Sequence, residues 1–148
     1  MKNFLLFLIL ILLTSCRTAN LPKNKSCITG DCKTGYGISE LQNYKYTGNF
    51  KYGKANGQGT LVYKDGSKYT GEFFNGKFHG KGIFIRPDGE KYEGNYANGL
   101  YSGLGVLVYK NGSVYNGKFI KGKFHGKGFF TRKDGEKYEG YYSNVLYN

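Results

Sequence analysis

The residues of this chain with chemistry to offer are two histidines, three cysteines and ten carboxylates among 148 residues. They do not assemble into a catalytic constellation. His79 and His125 each follow a phenylalanine and stand 46 residues apart. A lone His without partners or enclosure is neither a metal centre nor a general base, so both read as turn residues. The Gly-Lys-Gly stretches at 80–82 and 126–128 are not phosphate loops, because they lack the Gly-x4-Gly-Lys-Ser/Thr spacing and a following helix. Each Asp-Gly turn carries one carboxylate, too few for a calcium ladder. The pairs Glu90/Glu93 and Glu136/Glu139 have Lys91 and Lys137 beside them, which suits solvated cross-strand pairing. The chain therefore reads as non-enzymatic, with no cofactor or metal and nothing directed at nucleic acid.

The clearest chemical signal is at the start. Met1-Lys2-Asn3 is a short basic opening, and Phe4 to Leu13 are ten unbroken apolar residues. A spanning helix needs about 20, so residues 1–15 read as a signal peptide. Leu13-Thr14-Ser15-Cys16 then resembles the bacterial lipobox, with small residues ahead of a Cys. That resemblance implies cleavage before Cys16, a diacylglycerol on its thiol and an acylated amine. Two or more chains suffice for stable anchoring where one binds only reversibly. It also implies a bacterial cell envelope, in a leaflet the sequence does not specify. With Cys16 lipidated, Cys27 and Cys32 remain, an even number in an exported chain, flanking Ile-Thr-Gly-Asp. A disulfide is the expectation. A metal pair is the alternative, although two thiols with no further Cys or His nearby do not complete a tetrahedral site. Residues 16–26 read as the lipidated Cys and a polar, basic tether.

The elements that would present any site come from a repeat. Tyr46, Tyr69, Tyr92, Tyr115 and Tyr138 are spaced by 23 residues, each followed two positions later by Gly and four positions later by Phe or Tyr. A single Gly, a Gly-x-Gly pair and an Asp-Gly or Asn-Gly complete each unit, and 21 of the 24 glycines fall on these places. With 26 Tyr and Phe and two Pro, the chain is neither disordered nor collagen-like. Tyr46–Phe50 and Gly59–Tyr63 alternate as strands. Residues 52–57 read as a Gly-rich turn, and Asp65-Gly66 as a tight hairpin to the next unit. The fold class is thus all-β: an elongated, single-layer, twisted antiparallel sheet of about ten strands, at about 10 Å per repeat. Gly48 and Gly59 sit inside strands, where a neighbouring aromatic ring is expected to lie across the bare backbone.

The unit YTGEFFNGKFHGKGIFIRPDG (69–89) resembles the MORN repeat, and the resemblance runs in register over 46–142. It divides the chain into an N-terminal half-repeat cap (27–45), four repeats (46–68, 69–91, 92–114, 115–137) and a closing half-repeat. CITGDCKTGYG (27–37) is similar to the opening half-repeat of bacterial MORN lipoproteins. Gly37 to Tyr46 is one residue shorter than Gly59 to Tyr69, so an irregular turn is expected there. Residues 76–94 and 122–140 agree at 16 of 19 positions, which makes the duplicated unit 46 residues long.

Within that double unit, Arg86 and Arg132 stand where repeats one and three carry Tyr63 and Tyr109. Alternation puts Arg86 on the face of Phe84 and Arg132 on the face of Phe130. These four residues are the candidate binding face, since a guanidinium beside rings can stack and still offer donors to phosphate or carboxylate. The bland reading is that both Arg merely cover ring neighbours. Two partner classes follow: a protein partner for a structural or interaction module, or an anionic phospholipid or envelope glycan, favoured by the formal charge of +12. In either case the membrane is reached through the N-terminal lipid. Replacing Cys16 by Ser is expected to leave an unprocessed precursor or a soluble exported protein. Detergent phase partition checks this, and a Cys16→Ser protein still held as tightly as the parent refutes the lipid anchor.

Overall fold

The computed structural model describes residues 26–145. The residues read above as signal peptide, lipidated Cys16 and tether, up to 25, lie outside these. The described chain is one antiparallel sheet in strict sequence order. Its strands are β1 (Ser26–Gly30), β2 (Gly35–Glu40), β3 (Tyr44–Lys51), β4 (Lys54–Tyr63), β5 (Lys68–Phe74), β6 (Lys77–Ile85), β7 (Lys91–Ala97), β8 (Leu100–Val108), β9 (Val114–Ile120), β10 (Lys123–Thr131) and β11 (Lys137–Val145). There are eleven strands rather than ten, because the cap is a full hairpin whose first strand starts at Ser26 and carries Cys27. Cys27 and Cys32 are joined as a disulfide across its turn.

Register explains the glycines. Gly30, Gly37, Gly48, Gly59, Gly71, Gly82, Gly94, Gly105, Gly117, Gly128 and Gly140 pair in succession, one per strand, in a single row across the sheet. On this row the repeat Tyr rings lie flat. A Cβ on Gly82 would fall 2.6 Å from the Tyr69 ring, and one on Gly71 would fall 2.5 Å from the Gly82 Cα. Removing every side chain from the row lets a ring touch backbone, which recovers burial that a single-layer sheet otherwise lacks.

The turn at 52–57 is shorter than its glycines suggest. Only Tyr52-Gly53 connect β3 to β4, both at positive φ (52° and 71°), as in a two-residue type I′ hairpin. Gly57 belongs to β4, at φ 83° in a bulge where pairing slips between Gly48/Gly59 and Phe50/Ala55. The same slip recurs inside repeats two, three and four and is absent from the pairings between repeats. A bulge adds bend and twist to its strand, so each repeat carries the same local bend. The expected irregular turn is present: Leu41 N–H donates to the Tyr44 carbonyl at 2.8 Å, in place of the longer Tyr63–Ser67 turn.

Two long edges result, each a row of hairpin ends. At the Asp-Gly edge, the Asp or Asn side chain accepts a backbone N–H two residues on, as Asp65 does from Ser67 at 2.8 Å. At the type I′ edge, neighbouring tips are bonded to one another. Gly53 N–H donates to Lys33 O at 3.0 Å, and Gly76, Gly99 and Gly122 donate to Ala55, Phe78 and Tyr101 at 2.9 Å. Gly82→Ala is expected to drive the Tyr69 ring off the sheet and lower stability by roughly 2–4 kcal/mol, beyond any surface change. Denaturant unfolding checks this against Gly89→Ala, where a Cβ meets nothing within 4 Å and only the positive φ resists.

Candidate interaction face

One face of the sheet is aromatic and buried, and among the described residues its own rings are its cover. Tyr69, Tyr92 and Tyr115 have no exposed surface. Each ring rests on glycine backbone and takes a second ring in parallel: Tyr69–Phe78 at 3.7 Å, Tyr92–Tyr101 at 3.6 Å and Tyr115–Phe124 at 3.7 Å. Edge-on rings close the sides. For Tyr69 these are Phe73 and Tyr96, both at 5.1 Å, so every repeat borrows a ring from the next. The buried hydroxyls donate to carbonyls three residues on, Tyr46 to Asn49 and Tyr69 to Glu72 at 2.8 Å, and Tyr92 to Asn95 at 3.0 Å.

Repeat one breaks the pattern. Ala55 occupies the place of Phe78, Tyr101 and Phe124, so Tyr46 has edge-on partners in Phe50 and Phe73 and an alanine where its stacking ring would be. Beside it opens a hollow of about 250 Å³ walled by Tyr44, Tyr46, Phe50, Leu61 and Phe73. Further hollows of about 250 and 160 Å³ continue along the same face, past Tyr63 and Phe78 and then past Phe84 and Tyr101.

Residues 46–68, 69–91, 92–114 and 115–137 each match the MORN repeat, four consecutive units over more than half of the chain. The chain belongs to the MORN repeat family. No curated protein matches it.

In each MORN unit the Asp-Gly edge carries the position singled out from sequence. Arg86 lies with its guanidinium 5.9 Å from the Phe84 ring centre, and its Nε is 3.4 Å from Glu90 Oε1. A hollow of about 380 Å³ opens between this turn and the preceding one, lined by Tyr63, Asp65, Ser67, Phe84, Arg86 and neighbours. Arg132 makes the corresponding pair with Glu136 at 3.2 Å, but it also donates to the Tyr138 hydroxyl at 3.5 Å. Phe130 meets Tyr109 edge-on at 5.9 Å. The structure thus brings Arg86 and Phe84 into contact, and it places Arg132 and Phe130 at the equivalent site four strands away. His79 lies in β6 rather than in a turn, tilted against Phe74 at 5.5 Å, and His125 holds the same place in β10, because only two residues make each turn; the two histidines do not meet.

Sequence reasoning missed the partner of this substitution. Where the edge carries Tyr63 or Tyr109, the residue four positions on is Ser67 or Ser113, both buried. Where it carries Arg86 or Arg132, that residue is Glu90 or Glu136. The two are bonded across the turn, Tyr63 N–H to Ser67 O and Arg86 N–H to Glu90 O, each at 2.8 Å. Tyr-x3-Ser alternating with Arg-x3-Glu was readable in the chain, but only the turn geometry makes it a pair.

Burial pushes the hydroxyls of Tyr46 and Tyr115 up to about 12 and that of Tyr69 higher still, because a phenolate would lose its water. A raised folded pKa means that the folded protein holds protons which the unfolded chain releases above about pH 10. Stability is therefore expected to be unaffected by these groups below about pH 10 and to fall as pH rises from there through 12. Tyrosinate absorbance with circular dichroism checks this. Ionisation of all tyrosines near pH 10 with the sheet intact contradicts it.

Proposed function

We propose that this chain is a membrane-anchored lipoprotein of the bacterial cell envelope, held by acyl chains on Cys16, whose MORN sheet is a non-enzymatic structural or protein-interaction module. The observation that carries the reading is the run of hollows along the aromatic face, bounded by Tyr44, Tyr63 and Phe84 on one side and Ala55, Phe78 and Tyr101 on the other. Apolar clefts with ring walls suit the side chains of a protein segment. The salt bridges at the turns, whose Arg side chains are exposed while Glu90 is half-buried, contribute little to stability and leave the polar rim free to adapt. A second reading, an anionic phospholipid or envelope glycan as ligand, is supported by the net charge of +12.

A photocrosslinking residue in place of Tyr63, on the aromatic face, is compared with one in place of Thr70, on the opposite face, in intact envelope. A discrete protein adduct from position 63 alone, retained at high salt, is expected, since packed apolar contacts are little screened. Adducts of equal yield from both positions, or none that involve protein, overturn the interaction-module reading.

A further inference from the structure

At the Asp-Gly edge, the turns at 64–67 and 86–90 enclose the hollow of about 380 Å³ walled by Tyr63, Asp65, Ser67, Phe84, Arg86 and Asp88. Its apolar wall is the edge-on pair of Tyr63 and Phe84, with 6.3 Å between ring centres. Pro87 ties the two turns together, packed so closely on the neighbouring turn that a Cβ on Gly66 would come within 3.2 Å of its ring. Both signs of charge line this hollow with bonding capacity to spare. Asp65 and Asp88 each accept a backbone N–H through Oδ1, from Ser67 at 2.8 Å and from Glu90 at 3.1 Å. Each keeps its Oδ2 without a hydrogen-bond partner among the described residues. Arg86 is held through Nε by Glu90 at 3.4 Å, and its two Nη groups keep their donors without a partner there.

The 46-residue duplication carries a second version of the same turns. There Asn111 stands in place of Asp65, and Lys133 in place of Pro87. Arg132 Nη1 is already taken, by Glu136 at 3.2 Å and by the Tyr138 hydroxyl at 3.5 Å. The first hollow holds one basic and two acidic groups, Arg86 with Asp65 and Asp88, for a charge of −1. Its counterpart holds two basic and one acidic, Arg132 and Lys133 with Asp134, for a charge of +1. The rings, the serine and the second aspartate persist in both. The first version therefore differs in one respect: it has room for a positive group beside an available guanidinium.

We propose that the hollow between the 64–67 and 86–90 turns binds a small zwitterion, an apolar α-amino acid. The Arg86 fork takes its carboxylate, Asp65 and Asp88 take its ammonium, and its side chain lies on Tyr63 and Phe84. A bare cation would be repelled by the guanidinium and leave it unmatched, and a bare anion would meet two carboxylates. Only a ligand that carries both signs close together satisfies the whole lining. The site opens at the turn edge and does not depend on a protein partner at the aromatic face.

The full chain in a non-ionic detergent is titrated with L-leucine and followed by its backbone amide resonances. Shifts confined to residues 65–67 and 86–90 are expected, and none at 111–113 or 132–136. A small ligand in an open hollow should bind at about millimolar strength. Leucinamide, which lacks the carboxylate, and isocaproate, which lacks the ammonium, should each bind about tenfold more weakly. Asp65→Asn and Arg86→Gln should each weaken leucine by a similar factor while the melting temperature holds. Asn is compatible with this turn, since Asn111 accepts the Ser113 N–H at 2.9 Å in the duplicate. No shift at about tenfold above millimolar leucine, or equal shifts at both pairs of turns, overturns the proposal. Leucinamide or isocaproate matching leucine reveals a site for one charge only and overturns it as well. Phosphorylethanolamine binding more tightly than leucine makes a lipid headgroup the source of the zwitterion and overturns the amino-acid assignment.

Discussion

A tyrosine ring lying on bare glycine backbone is the contact from which the rest of this molecule follows. A sheet with one layer has no opposing layer to bury its apolar side chains against. Here the burial is made within the layer. The ring at Tyr69 covers Gly71 and Gly82, is covered in turn by Phe78, and is flanked by Phe73 and Tyr96. A Cβ on any glycine of the row from Gly48 to Gly128 would lift the ring above it, and with the ring would go the seat of its stacking partner. The row continues through Gly30, Gly37 and Gly140 into the terminal strands. Stability is accordingly shared between nearest neighbours, and the order of the sheet is the order of the chain.

That economy leaves most surface positions free to vary, and the variation is patterned. The Asp-Gly turns alternate between a Tyr with a buried Ser and an Arg with a Glu. In the Arg form the guanidinium is matched within its own hairpin, so the turn remains near neutral. The type I′ tips have no such matching, and they collect lysines and exposed apolar side chains together. The aromatic face is continuous except at Ala55, where one ring of the stack is missing and a hollow opens. One ribbon thus presents an apolar cleft, an edge of mixed charge and an edge of lysines, each built by repetition of a single hairpin.

Although it left Cys27 and Cys32 between a disulfide and a metal pair until the structure joined them, the amino-acid sequence alone determined the repeat length, the strand pairs and the purpose of the in-strand glycines. All of these follow from local spacing: Tyr and Gly two apart on one strand share a face, and a 23-residue period fixes what the next unit must offer. The pairing of Arg86 with Phe84 was legible for the same reason, since alternation along one strand decides it. Only the tertiary structure decided that Gly57 lies in a strand bulge rather than in the turn, because a bulge is a relation between two strands and Gly serves both states. It also decided that Glu90 faces Arg86. The separation of charge between the edges was likewise hidden. In the linear chain, lysines from the two kinds of turn alternate every dozen residues or so and look evenly spread. Antiparallel pairing sends every second turn to the same side, and only then do Lys33, Lys51, Lys54 and Lys77 become neighbours with no carboxylate among the last three.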